Sequence, residues 1–282
     1  VSTAWYALAA AGARRVERVP LRLEGRTLGS VAAADLDALR CWPQAFTVGG
    51  GAVTVGAGRG ELDALFAEVN RALHAQGLIR AWRDEPFALL DPATGEALAR
   101  IERAACRFWG MLTLGAHATG YVRDAAGAIA GLWIAERSPH KATDPGLFDN
   151  LVGGGVAAGQ TPAAALVREG FEEAGLTPAQ MASAQAASVL RLHRDIPDGL
   201  QHEWLHSFDL ELPAGLEPRN QDGEVAGFRL LPVREAAALA AGNTMTVDAA
   251  LVTIDFLLRH DLVHDEAAAD CIRNLRVPRR WP

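Results

Sequence analysis

Apolar positions along the chain follow two periods. Over residues 61–76, Leu62, Leu65, Phe66, Val69 and Leu73 recur at helical spacing, and Gly77 stands where such a helix would stop. The same spacing predicts helices over 161–174, 233–241 and 247–259, with a short one after Asp265. Short apolar or alternating runs predict strands over 21–23, 46–48, 52–55, 117–122, 129–135, 148–152, 188–192, 203–212 and 225–231. Gly49-Gly50-Gly51 joins the second and third of these as a hairpin turn, and a charged turn, Arg83-Asp84-Glu85-Pro86, leads into a further short apolar strand ending near Leu90. Strands interspersed with helices predict an α/β (α+β) fold. A boundary near residue 110 divides it into an N-terminal α+β domain (1–110), a larger domain (111–264) and a C-terminal helix and tail (265–282). The basic stretch Arg276 to Arg280 is interleaved with Pro and Val and reads as a solvated or docked end.

Composition narrows the function classes. Half of the 282 residues are hydrophobic and 22% are charged, which excludes general disorder and allows a well-buried core. A formal net charge of −7 offers no broad basic face, so nucleic acid is not an expected partner. No apolar run reaches the ~18 residues of a membrane span, and no membrane partner is expected. Cys41, Cys106 and Cys271 lie far apart, without zinc or disulfide spacing. Free thiols in a reducing compartment make a cytoplasmic protein the expectation. The chain opens Val-Ser-Thr-Ala-Trp-Tyr, with neither a signal-peptide layout nor an initiator Met, so native residues before it are expected. An acidic protein that handles an anionic substrate needs a cation to mediate.

The chemistry concentrates in 153–176. Thr161 suits an N-cap, Pro162 the first helical position and Gly175 the left-handed stop, so the helix is bounded at both ends. Ala163, Val167, Gly170, Phe171 and Ala174 form its expected apolar stripe. Glu169, Glu172 and Glu173 share one face at i, i+3 and i+4. Three carboxylates so close repel one another, and the helix dipole disfavours anions near the C-terminal end. A divalent cation would compensate, and oxygen-only ligands suit Mg²⁺ or Mn²⁺. Arg168, four residues before Glu172, is placed to hold the carboxylates. An isolated Glu-Glu pair on a helix is usually a solvated face. The glycine run before this one, its two caps and its third carboxylate favour the metal reading.

This stretch resembles the Nudix box, GX5EX7REUXEEXGU, where U is a bulky aliphatic residue. With Gly154 as the first glycine, Arg168, Glu169, Glu172, Glu173, Gly175 and Leu176 fall in register, whereas Gln160 replaces a Glu and Gly170 replaces the first U. Residues 131–138, 141–150 and 221–228 resemble a Nudix subfamily with a poorly characterised N-terminal domain, to which 46–87 is similar. Some members of it are fused or related to thiamin pyrophosphokinase. Thr143-Asp144-Pro145-Gly146 resembles a loop of isopentenyl diphosphate isomerases, but Phe148-Asp149-Asn150 lacks their catalytic cysteine.

The resemblance implies an α/β/α sandwich with a mixed sheet, and a metal-dependent diphosphate hydrolase with Mg²⁺ (or Mn²⁺) as cofactor. It implies Glu169, Glu172 and Glu173 as catalytic residues and metal ligands, Arg168 as their partner, and Glu224 as a further metal carboxylate or a surface turn charge. Lys141, Arg137, Gly154 and Gly155 are the candidate substrate contacts, although Lys141 and Arg137 equally suit solvated loop charges. The expected partner is a small-molecule diphosphate, with thiamin diphosphate or its damaged forms as the subfamily's suggestion, and a homodimer is left open. A non-catalytic Nudix-fold binding module is the alternative, kept by Gln160 and Gly170. His117, His193, His202 and His206 lack zinc spacing and read as strand or surface histidines. Trp133 and Trp204 suit either core packing or stacking on a cationic substrate ring.

Overall fold

A computed structural model describes residues 4–278, so the expectations for 1–3 and for Arg279 and Arg280 of the basic tail lie outside the described residues. The N-terminal part contains α1 (Tyr6–Ala10), β1 (Arg18–Leu23), β2 (Arg26–Ala32), α2 (Leu36–Leu39), β3 (Phe46–Gly49), β4 (Ala52–Val55), α3 (Leu62–Ala75), β5 (Pro86–Leu90), β6 (Ala97–Glu102) and α4 (Arg103–Phe108). Strands β1 to β4 form one sheet in the order β2-β1-β4-β3, and β5 pairs with β6. The helical stripe of α3 behaves as its spacing predicts, with Leu62, Phe66, Val69 and Leu73 buried. They surround Trp109, which stacks on Phe46 and meets Phe66 edge-on, each at 5.4 Å between ring centroids. The Trp109 indole N–H donates to Asn70 Oδ1 at 2.7 Å, so the one polar atom of this buried ring is satisfied.

The larger part continues with β7 (Leu112–Arg123), β8 (Ile129–Arg137), β9 (Phe148–Asp149), β10 (Val152–Gly155), α5 (Pro162–Ala174), α6 (Pro178–Met181), β11 (Gln185–Ile196), β12 (Gly199–Glu211), β13 (Val225–Pro232), α7 (Val233–Ala241), α8 (Val247–Arg259) and α9 (Glu266–Leu275). The sheet runs β11-β12-β7-β8-β13, with β10 beside β7 and β9 beside β8. It is mixed: β12 and β7 run parallel from His202↔Leu112 to Glu211↔Tyr121, and the other pairs are antiparallel. Alternation along β8 sends Leu132 and Ile134 into a core shared with α7, α8 and α9, and Trp133 into a core shared with α5. Both faces are covered, which is why β7 is buried along nearly its whole length. The expected α/β/α sandwich with a smaller α+β part before it is the observed architecture.

One strand differs from expectation. Residues 148–152 read as a single run, but the chain changes neighbours at Asn150 and Leu151, leaving β9 on β8 and β10 on β7. The Asn150 side chain fixes this step, meeting His117 Nδ1 at 3.1 Å and donating to Thr253 Oγ1 at 3.1 Å. Strands β2 and β6 and helix α4 carry no run strong enough to be seen in the sequence.

Burial within the β11–β12 layer sets a pH limit. Burial pushes His206 down to about 4, and its Nε2 is buried without a hydrogen-bond partner. The unfolded chain therefore takes up this proton first. The stability contribution is complete above the unfolded value of ~6.5 and is lost as pH falls towards 4. Unfolding free energy, followed by urea denaturation, should drop by about 2 kcal/mol between pH 6.5 and 5 on account of this group. His206→Asn should flatten that slope, and an unchanged slope would refute the assignment.

Candidate active site

The helix that carries the carboxylates is capped as its ends predict. Thr161 Oγ1 accepts the Ala164 N–H at 3.2 Å, Pro162 opens the first turn, and Gly175 closes it at φ 65°. Its orientation differs from the expected one. Ala165, Leu166, Gly170, Glu173 and Ala174 are the buried positions, whereas Phe171 of the expected apolar stripe is 54% exposed. The helix is turned so that Glu173 faces inward, and small residues make that approach feasible. A Cβ on Gly170 would stand 2.6 Å from Met181 Sδ, so the bare position seats Met181 of α6.

Strand β10 takes the other side of this contact. A Cβ on Gly154 would lie 2.4 Å from the Glu169 carboxyl, one on Gly153 2.7 Å from His117 Nδ1, and one on Gly155 2.4 Å from Phe87. Gly154 and Gly155 were expected to bring backbone to metal or phosphate. Their bareness instead admits a carboxylate and an aromatic ring.

Two cations divide the four acids. Arg168 donates to Glu169 Oε1 at 2.7 Å and to Glu172 Oε2 at 2.6 Å. Lys141 Nζ lies 3.2 Å from Glu173 Oε1 and 2.5 Å from Glu224 Oε2. Glu173 Oε2 also accepts the Gly153 N–H at 3.0 Å. Burial pushes Glu173 up to about 7 despite Lys141 and that N–H, and raises Glu169 despite Arg168. Burial acts on Glu224 in the same direction, but Lys141 outweighs it and holds Glu224 below the ordinary carboxylate range. Among the described residues no three His, Cys, Asp or Glu side chains gather tightly enough to be a metal cage by themselves. The donor chemistry nevertheless fits a hard divalent cation: the ligands are carboxylate oxygens, and burial opposes the charge of two of them. Arg137 donates to Asp149 Oδ2 and to the Thr143 carbonyl, each at 2.7 Å, and so ties the 138–147 loop to the sheet.

These groups border a cavity of about 830 Å³ between the two parts of the chain. Its lining adds residues that no local motif announces: Arg83, Arg103 and Arg107 from the N-terminal part, and His117, Glu203 and Asp248 from the sandwich. Gln201 Nε2 donates to Glu203 Oε2 and to Asp248 Oδ1, each at 3.0 Å. Arg107 Nη2 meets Glu203 Oε2 at 3.2 Å. Burial would raise Glu203, but Arg107 keeps it below the usual carboxylate range, while burial and then Glu203 itself raise Asp248. A sequence signal existed only in β12, where Gln201 and Glu203 occupy inward positions that strict alternation reserves for apolar residues. Of the two readings for the tryptophans, Trp133 takes core packing, buried with α5, and neither it nor Trp204 lines the cavity.

Known proteins resemble the chain in both parts. The NUDIX domain family matches residues 113–249, and a domain of unknown function, DUF4743, matches residues 3–113. Nudix hydrolase 20, chloroplastic, of Arabidopsis thaliana is 35% identical over 214 residues, 74% of this chain and 56% of that protein. Nudix hydrolase 24, chloroplastic, of the same plant is 37% identical over 214 residues, 74% of this chain and 58% of that protein. The chain thus spans a little over half the length of these curated relatives. The crystal structure of DR0079 from Deinococcus radiodurans is similar with a TM-score of 0.44 and 23% identity, over 60% of this chain and 97% of that one. The chloroplastic names overturn the cytoplasmic expectation. Unpaired cysteines report a reducing environment, and a plastid interior satisfies that as well as the cytosol does.

The glycine cradle makes Gly154 and Glu169 energetically dependent. Gly154→Ala should destabilise the fold by about 1–3 kcal/mol because the Glu169 carboxyl must move. In a double-mutant cycle with Glu169→Ala, the two effects should depart from additivity by about 0.5 kcal/mol or more. Strict additivity in chemical denaturation would show that the two residues do not share this contact.

Proposed function

Residues 113–249 match the NUDIX domain family, and on that premise we propose that the chain is a Nudix-type, metal-dependent hydrolase cleaving a small organic diphosphate to a monophosphate and phosphate. The observation that carries this reading is the buried Glu173 beside Glu169, Glu172 and Glu224 on one cavity wall. Glu172, Glu173 and Glu224 would hold Mg²⁺ or Mn²⁺, with Glu169 as a further ligand or the base. The bound cation supplies charge neutralisation to the phosphates and to the attacking water. Glu169, set against bare Gly154 and raised by burial, is suited to accept a proton from that water at its carboxylate. Arg168 bridges Glu169 and Glu172 and fixes their orientation. Lys141 holds Glu173 and Glu224 together and offers a positive charge next to the phosphate position.

Gln160, the departure that favoured a non-catalytic module, is not part of the cavity lining and borders a smaller pocket with Phe87 and Val156. Its replacement of a Glu therefore removes no donor from the cavity. For the substrate we take thiamin diphosphate or a damaged form of it. The subfamily resemblance supports this choice, and the Gln201–Glu203–Asp248 cluster offers acceptors to a cationic or amino-bearing ring.

Three measurements test the proposal. Phosphate release should vanish with EDTA and return with Mg²⁺ or Mn²⁺, while Zn²⁺ should substitute poorly; full turnover in chelator would sink the mechanism. Glu172→Gln and Glu173→Gln should each lower kcat by about 10²-fold or more with the fold retained. If both variants turned over normally, the binding-module reading would replace this one. Finally, kcat/KM should be higher for thiamin diphosphate or an oxidised analogue than for ATP or ADP-ribose. The reverse order would reject the substrate and keep the hydrolase.

A further inference from the structure

The N-terminal part brings guanidinium groups to the cavity, and two of them, Arg80 and Arg83, make no salt bridge among the described residues. Arg103 is committed to Glu85 at 2.8 Å and lies over the Phe87 ring at 5.4 Å. Arg107 is turned to Glu203, but its Nη1 is buried without a hydrogen-bond partner. Arg83 lines the same cavity and makes no salt bridge among the described residues. Burial and the like charge of Arg103 lower its pKa, with Glu224 of the opposite wall acting the other way. A half-buried, always-charged guanidinium under like-charge repulsion is a receptor for an anion.

The loop that carries Arg83 is held in place. Glu102 accepts the backbone N–H groups of Arg83 at 3.1 Å and of Glu85 at 3.0 Å. Trp82 Nε1 donates to Asp84 Oδ1 at 2.7 Å. Ala81 and Asp84 on either side have φ of 55° and 56°, a left-handed backbone that disfavours residues with a side chain. Such strain, fixed by hydrogen bonds, belongs to a loop whose shape is required. The loop is also anchored to the sandwich. Pro86 accepts the Ala158 N–H at 2.9 Å, and Phe87 rests on bare Gly155.

We propose that the N-terminal domain completes the active site by reading the free terminal phosphate of a singly substituted diphosphate, with Arg83 as the contact and Arg107 as its support. This rests on the hydrolase reading for its substrate class and adds the part of the chain that reads the outer phosphate. The pairing of charges in the cavity favours the terminal group. The α5 wall presents carboxylates already paired with Arg168 and Lys141, and the N-terminal wall presents Arg83 without a salt bridge among the described residues. A terminal phosphate carries up to two charges and three acceptor oxygens, whereas a phosphate esterified at both sides of the diphosphate carries one charge. The doubly charged end is the better partner for Arg83.

Calorimetric titration of the full chain in Mg²⁺ buffer tests this with two probes that cannot be cleaved at the bridge. They are methylenediphosphonate, with free ends, and its P,P′-dimethyl ester, with capped ends. Arg83→Ala should weaken methylenediphosphonate by about tenfold or more and the capped ester by less than about twofold. Arg83→Lys, which keeps the charge and loses the fork, should lie between and guards against a folding defect. Arg40→Ala, remote from the cavity, should change neither. Unchanged affinity in both Arg83 variants overturns the proposal, and so does equal weakening of the two probes. If the native chain cleaves no diphosphate yet binds methylenediphosphonate through Arg83, the hydrolase reading fails and this one stands.

Discussion

A strand without side chains allows everything else at this site. Carboxylates on a helix reach a sheet only if the facing strand leaves room, and β10 leaves it at three successive residues. Gly153 makes space beside His117, Gly154 for the Glu169 carboxyl and Gly155 for Phe87. Each glycine receives a different neighbour, from the sheet, the helix and the N-terminal part in turn. The run is therefore a docking surface for three structural layers rather than a flexible loop. A Cβ at any of the three would force the facing side chain to move.

Once the helix is drawn in, charge becomes the next constraint. Glu173 is buried, and neither Lys141 nor the Gly153 N–H fully offsets its desolvation. Arg168 and Lys141 each serve one more buried and one more exposed acid, Glu169 with Glu172 and Glu173 with Glu224. This arrangement holds four carboxylates side by side between two side-chain cations. Lys141 therefore depends on the 138–147 loop, and that loop depends on Arg137, whose guanidinium ties it to Asp149. Arg137, one of the candidate substrate contacts, thus holds the loop that carries another, Lys141.

The legible parts of the molecule were those whose cause is local. Thr161, Pro162 and Gly175 bound α5 because capping depends on a few adjacent residues. Helices α7 and α8 match their sequence-based bounds because their apolar spacing is uninterrupted. The rotation of α5 was not legible. Phe171 is apolar and Glu173 is charged, so pattern alone buries the wrong one, and only the empty face of β10 explains the inversion. The split of 148–152 escaped for a similar reason, since it is set by Asn150 contacts to His117 and Thr253, both distant in sequence. Arg83 and Asp248 reach one cavity with Glu203 only through the tertiary fold, and in the sequence Arg83 and Asp248 read as ordinary surface charges.

Net charge is too coarse for the same physical reason. A total of −7 suggested an acidic protein that must recruit a cation before it meets an anion. The cavity lining instead mixes both signs, with Glu169, Glu172 and Glu173 beside Arg168 on α5, and Arg83, Arg103 and Arg107 beside Asp84 and Glu85 in the wall built from 80–107. An average over the chain cannot express this arrangement, yet the arrangement decides what fits. Neither part of the chain supplies this lining alone: the sandwich adds Arg168, Lys141 and Arg194 to its acids, and the N-terminal part adds Asp84 and Glu85 to its arginines. The Phe87 contact on Gly155 joins the two parts beside the cavity. The cavity is thus a property of the junction between the two parts, and the glycine strand that seats the carboxylate helix also lies at that junction.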